Sequence, residues 1–147
     1  MATTATITIA SDIMANYGGY SKTMTMTKAG SLVDLDETIG FSRRKLAATT
    51  AVDIISMADA VILKETAATG APKVYVKNIG DGKGVISKDK FVTISIGDTG
   101  GTPNPIGRLY GGDWMLFPVT GGDNADVVAT PEDNNAVVLE YVMFFEV

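Results

Sequence analysis

Lys73–Gly97 reads KVYVKNIGDGKGVISKDKFVTISIG, and its two ends alternate. Val74 and Val76 fall on one face, with Lys73, Tyr75 and Lys77 on the other. Val92, Ile94 and Ile96 alternate in the same way with Thr93 and Ser95. A period of two is the signature of a half-buried strand. Between the runs lies Gly80-Asp81-Gly82-Lys83-Gly84, which looks at first like a phosphate loop. A true phosphate loop continues into Lys-Ser/Thr at the start of a helix, so that amides and lysine meet the phosphate together. Here Val85-Ile86 follows, so a turn between strands is expected.

The same alternation recurs elsewhere. Ile7 and Ile9 alternate with Thr6 and Thr8, and Met24 and Met26 with Thr23, Thr25 and Thr27. Two later segments are apolar on both faces. In DWMLFPV, Trp114 and Leu116 lie opposite Met115 and Phe117. In AVVLEYVMFFEV, Val137, Leu139, Tyr141, Met143 and Phe145 lie opposite Val138, Glu140, Val142 and Phe144. Strands of that kind are expected to be central or covered by a second layer. In a sandwich one face meets the core, and the other meets water or another chain. Glycine, proline, aspartate and asparagine clusters at 79–84, 97–105, 111–112, 120–124 and 130–135 read as turns. Pro118 closes the Trp114 strand or marks it as an edge, because it has no amide to donate. This is the pattern of an all-β protein: an antiparallel β-sandwich, jelly-roll-like, with at most one or two short helical turns.

The segment 31–65 is harder to read. Leu32, Leu35 and Ile39 have helical spacing and predict one or two turns there; AVDIIS and AVILKE predict strands, MADA a turn, and AATTA an extended stretch. No linker interrupts the chain, so residues 1–147 are expected to form one domain. The first strand packs in its own subunit, or residues 1–20 extend as an N-terminal arm into a neighbour.

Composition narrows the chemistry. The 147 residues contain neither cysteine nor histidine. Disulfides, thiolate nucleophiles and thiolate metal sites are therefore ruled out within one chain, as are Ser-His-Asp and Cys-His catalysis. The net charge of −5 disfavours nucleic acid, whose binding relies on releasing counterions from phosphate. Arg43-Arg44-Lys45 reads as a local salt-bridging patch. The N-terminus lacks the basic lead and apolar core of a signal peptide, and no run approaches the roughly 20 apolar residues of a membrane helix. Neither nucleic acid nor membrane is expected as a partner.

Asp34, Asp36 and Glu37 cluster, as do Asp123 with Asp126 and Glu132 with Asp133. None has the spacing of a calcium loop, and they read as solvated turn carboxylates. Nothing marks a paired-carboxylate glycosidase site. The expectation is an absence of catalytic, cofactor and metal sites. The chain's only tryptophan, Trp114, could stack on a sugar, but Met115, Leu116 and Phe117 beside it favour core or subunit packing. Interfaces are enriched in Trp, Tyr, Phe, Met and Arg, and RLYGGDWMLF carries all five. The candidate subunit interface is Arg108, Tyr110, Trp114, Phe117, Tyr141 and Phe144.

Residues 72–147 carry a resemblance. The order VYVKN, IGRLYGGDWMLFPV, a glycine-aspartate loop and then NAVVLEYVMFFEV resembles small β-sandwich virion proteins of tailed bacteriophages. The residues that carry it are Leu109-x-x-Gly112-Asp113 followed by aromatics and proline, then Leu139-Glu140-Tyr141-x-x-Phe144. The resemblance implies a capsid decoration (cement) protein or minor appendage protein that lacks catalysis and a cofactor. It implies synthesis in the bacterial cytoplasm and residence on the capsid surface. The partners would be the major capsid protein or another virion protein and further copies of the chain, a trimer being the expected order. A tail or head-fibre subunit, a carbohydrate-binding module and a carboxylate hydrolase remain as other readings.

Overall fold

The structure is a computed structural model that describes residues 5–11, 20–26, 37–57, 72–81, 86, 89–120, 125–134 and 136–145, with backbone only for 5–41 and 145. Among the described residues ten strands follow one another: β1 Ala5–Ser11, β2 Tyr20–Met26, β3 Glu37–Leu46, β4 Val52–Ile55, β5 Lys73–Asn78, β6 Phe91–Ile96, β7 Asn104–Tyr110, β8 Trp114–Pro118, β9 Val127–Pro131 and β10 Val137–Phe145. The described residues contribute no helix to this order.

Two four-stranded antiparallel sheets form the body, in the orders β3-β10-β5-β8 and β4-β9-β6-β7. β1 and β2 make a separate antiparallel pair, with Ile7 opposite Met24 and Thr6 opposite Thr25. The pairing in the body is nested. β6 pairs with β7, β5 with β8, β4 with β9 and β3 with β10. One long antiparallel ribbon has thus rolled up, and the contacts β10–β5 and β6–β9 join its successive turns. This is the strand order of a jelly roll, as the alternation and turn spacing lead one to expect.

The core lies between the sheets. β5 contributes Val74 and Val76, β10 contributes Val137, Leu139 and Met143, and β6 contributes Val92 and Ile94. β9 adds Val127 and Ala129, and β7 adds Leu109. Full burial of each Val, Leu, Ile or Met stabilises by roughly 1.5–3 kcal/mol. The strict alternation of burial in β5 is the period-two pattern read directly from sequence. β6 departs from it: a register shift between Ile94 and Ser95 buries both. Gly107 of β7 faces β8 across the core so closely that an added Cβ would sit 2.8 Å from the Met115 Cε. The ends of the two sheets formed by β7 and β8 therefore lie over one another.

Several sequence expectations need correction. Ile39 lies in β3, where it pairs with Met143; it is not part of a helical turn, because pairing with β10 overrides the local spacing. Leu32 and Leu35 lie outside the described residues, as do AVILKE and most of MADA. In AATTA, residues 48–50 form bends between β3 and β4. β8 is an edge strand despite its two apolar faces, and Pro118 is its last residue, as an amide-free residue at an edge should be.

Candidate functional site

The RLYGGDWMLF stretch passes from one sheet to the other. Tyr110 ends β7 and Trp114 begins β8. The Asp113 amide donates to the Tyr110 carbonyl at 2.9 Å, and the Tyr110 amide donates to Asp113 Oδ2 at 3.0 Å. Gly112 has φ +95°. A positive φ at the third residue is what a type II turn requires, and glycine adopts it without strain. Asn78, at the end of β5 and buried, holds the corner. Its amide donates to Asp113 O, its carbonyl accepts from Gly112 N, and its Nδ2 donates to Leu109 O.

Because the stretch crosses over, the six candidate interface residues do not form one surface. Arg108 and Tyr110 lie on the outer face of β4-β9-β6-β7. Phe91 lies beside them: its ring is 5.4 Å from that of Tyr110, and the Arg108 guanidinium carbon stands 4.5 Å above it. Such a cation–π contact fixes the arginine over the ring. Ile106, in the irregular part of the same strand, is exposed. Trp114 and Phe144 belong to the outer face of β3-β10-β5-β8. Phe117 and Tyr141 are half-buried and pack against the core. Trp114 is 47% exposed, so it is a surface tryptophan and not part of its own subunit's core.

The side chains around Trp114 are not the sequence neighbours that make it look oily. Met115 and Phe117 pack inward. Across the strands, Trp114 pairs with Lys77, Lys77 with Glu140, and Glu140 with Arg43. These residues form one row across all four strands on the outer face. Arg43 Nη2 lies 2.9 Å from Glu140 Oε2, and its Nε donates to the same oxygen at 3.0 Å. In the next row outward, Val142 pairs with Tyr75 and Tyr75 with Leu116. The Tyr75 and Trp114 rings lie 6.3 Å apart, tilted by 33°. Burial first, and then the Glu140 carboxylate, raise the Tyr75 phenol above its ordinary pKa; burial lowers that of Lys73.

The basic cluster splits between the two sheets, and Arg43 makes the salt bridge expected of it. Arg43 pairs with Glu140 on the outer face, and Arg44 donates to the Asp53 carbonyl of the other sheet at 2.6 Å. Of the turn carboxylates, Asp133 pairs with Lys90 and Asp126 Oδ1 accepts the Met57 amide at 2.6 Å. Among the described residues no group of three or more acidic side chains is placed to hold a metal ion.

Sequence reasoning missed Phe91 and Ile106 on one face, and Tyr75, Lys77 and Glu140 on the other. The alternation of β5 already marks Tyr75 and Lys77 as outward. Their meeting with Trp114 depends on the β5–β8 register, which period alone does not specify. No protein-family model matches the chain, and no curated protein matches it in sequence.

Proposed function

We propose that the chain is a structural, non-catalytic protein of a tailed-bacteriophage virion, acting as a capsid decoration protein. Its proposed partners are like subunits, in a trimer, and the major capsid protein. The observation that carries this reading is the surface on β7. Ile106, Arg108 and Tyr110 are exposed along one edge strand, with Phe91 beside them. Tyr, Arg and Phe are the types enriched at interfaces. Pro105 and the irregular register beside it hinder β7 from adding another strand, so contact through this edge runs through side chains. Many weak contacts on a lattice sum to firm attachment. The jelly roll is a fold of viral capsid domains, which supports the reading by analogy only.

The test is sedimentation of the purified chain alone and with purified capsids. An assembled species and co-sedimentation with capsids are expected, and both should be lost in an Arg108→Glu/Tyr110→Ala variant that still folds. A chain that stays monomeric at high concentration and leaves capsids bare overturns the proposal.

A further inference from the structure

The outer face of β3-β10-β5-β8 is chemically different from the β7 edge. Arg43, Lys45, Lys73 and Lys77 share it with one carboxylate, Glu140, among its described side chains. A chain of net charge −5 thus carries a locally basic face. Trp114 and Tyr75 lie in the same face, one exposed and one half-buried.

We propose that this face binds an acidic polysaccharide, a polymer of carboxylated sugar rings. Trp114 supplies the flat apolar surface on which the C–H face of a pyranose ring lies, with Tyr75 beside it. Lys77, directly across from Trp114, is placed to meet a carboxylate of the sugar at the end of that ring. Arg43 fixes Glu140 in the same row, where its carboxylate accepts from sugar hydroxyls.

Three alternatives fit less well. A second copy meeting this face isologously sets its four cations against themselves. A neutral glycan offers no charge for Lys77 to meet beside Trp114. Single-stranded nucleic acid also combines stacking with basic groups, but it offers few hydroxyl donors to the Glu140 carboxylate.

Trp114 is the only tryptophan, so its emission reports on the face directly. The full chain is titrated with polygalacturonate, neutral dextran and poly(dT). A saturable change with polygalacturonate that weakens with added salt is expected, with little response to the other two. Lys77→Gln should weaken the response several-fold. In affinity electrophoresis through polygalacturonate, Trp114→Ala should lose affinity on the order of tenfold, while Tyr110→Ala, at the proposed protein contact, should bind as the parent does. Three results overturn the proposal: no response to polygalacturonate, equal or tighter binding of dextran or poly(dT), or parental affinity in both Trp114→Ala and Lys77→Gln. None of these outcomes bears on capsid attachment, which the Tyr110 surface tests separately.

Discussion

Asn78 and Leu109, 31 residues apart and in different sheets, are joined by a buried hydrogen bond of 3.0 Å from the Asn78 side-chain amide to the Leu109 carbonyl. The Asn78 Oδ1 accepts the Gly80 amide at 2.9 Å. One side chain therefore satisfies a carbonyl of β7 and an amide of the turn after β5. Its backbone meanwhile bonds Gly112 and Asp113. The direction in which Trp114 leaves the turn follows from this clasp.

Asn78→Ala should destabilise the fold by about 1–3 kcal/mol, since it removes two buried hydrogen bonds, one to the Leu109 carbonyl and one from the Gly80 amide. Urea unfolding should show a lower midpoint at an unchanged slope, because the surface exposed on unfolding is the same.

Gly112 and Gly97, two of the three described glycines with positive φ, differ in the space around them. At Gly112 an added Cβ meets, among the described residues, only Ile86 Cγ2 at 3.7 Å, so Gly112→Ala carries the conformational penalty of its positive φ, about 1–2 kcal/mol. At Gly97, with φ +140°, the Cβ would lie 2.9 Å from the Pro103 Cα. Backbone must move there, and Gly97→Ala should cost clearly more than Gly112→Ala in the same thermal melt.

Asp53 meets hydrogen-bond donors with only one of its two carboxylate oxygens among the described residues. Its Oδ2 accepts from Thr99 Oγ1 at 2.9 Å, while Oδ1 is buried without a hydrogen-bond partner among the described residues. Asp53→Asn should leave stability unchanged or raise it by about 1 kcal/mol. Thr99→Val should cost about 1.5 kcal/mol in the parent and less in the Asp53→Asn background. A double-mutant cycle measures that difference.

Tyr75 ties alkaline stability to the outer face. Its folded pKa lies above the ordinary 10.0, so the folded chain holds the phenol proton longer than the unfolded chain. That contribution is fully present below pH 10.0 and is lost as pH rises through the folded pKa. Lys73 acts in the opposite sense. Its folded pKa lies below 10.5, and stability rises with pH between those two values. Tyr75→Phe should abolish the falling branch and keep the rise. In an ultraviolet titration of the parent, Tyr75 should ionise after a tyrosine of ordinary pKa, and that late step should vanish in the variant.

Local pattern was enough for β5, β6 and β10, where apolar residues alternate or continue over six or more positions. It failed for β7. In NPIGRLY only Leu109 is buried, and Asn104 and Pro105 fall in the 97–105 cluster that reads as a turn. It failed also for β9, where Val127, Val128 and Ala129 are all buried and no alternation survives. β3 is rich in exposed charge and becomes a strand through its pairing with β10. The candidate residues show the same divide. Which way Phe117, Tyr141 and Trp114 face follows from parity once the inner face is known. Their neighbours across the sheet follow from register, which is set by contacts far away in sequence.

The nested ribbon also governs how fast this protein can fold. Ile96 meets Asn104 across one short loop, whereas Glu140 reaches Arg43 over 97 residues. Closing the outer pair costs more chain entropy than closing the inner one, so β6–β7 is favoured to form early and β3–β10 late. Topologies so rich in distant pairings refold in milliseconds to seconds, orders of magnitude slower than helical bundles. A late-forming pair is absent from the transition state, so weakening it, as Arg43→Ala does, should speed unfolding and leave the refolding rate almost unchanged.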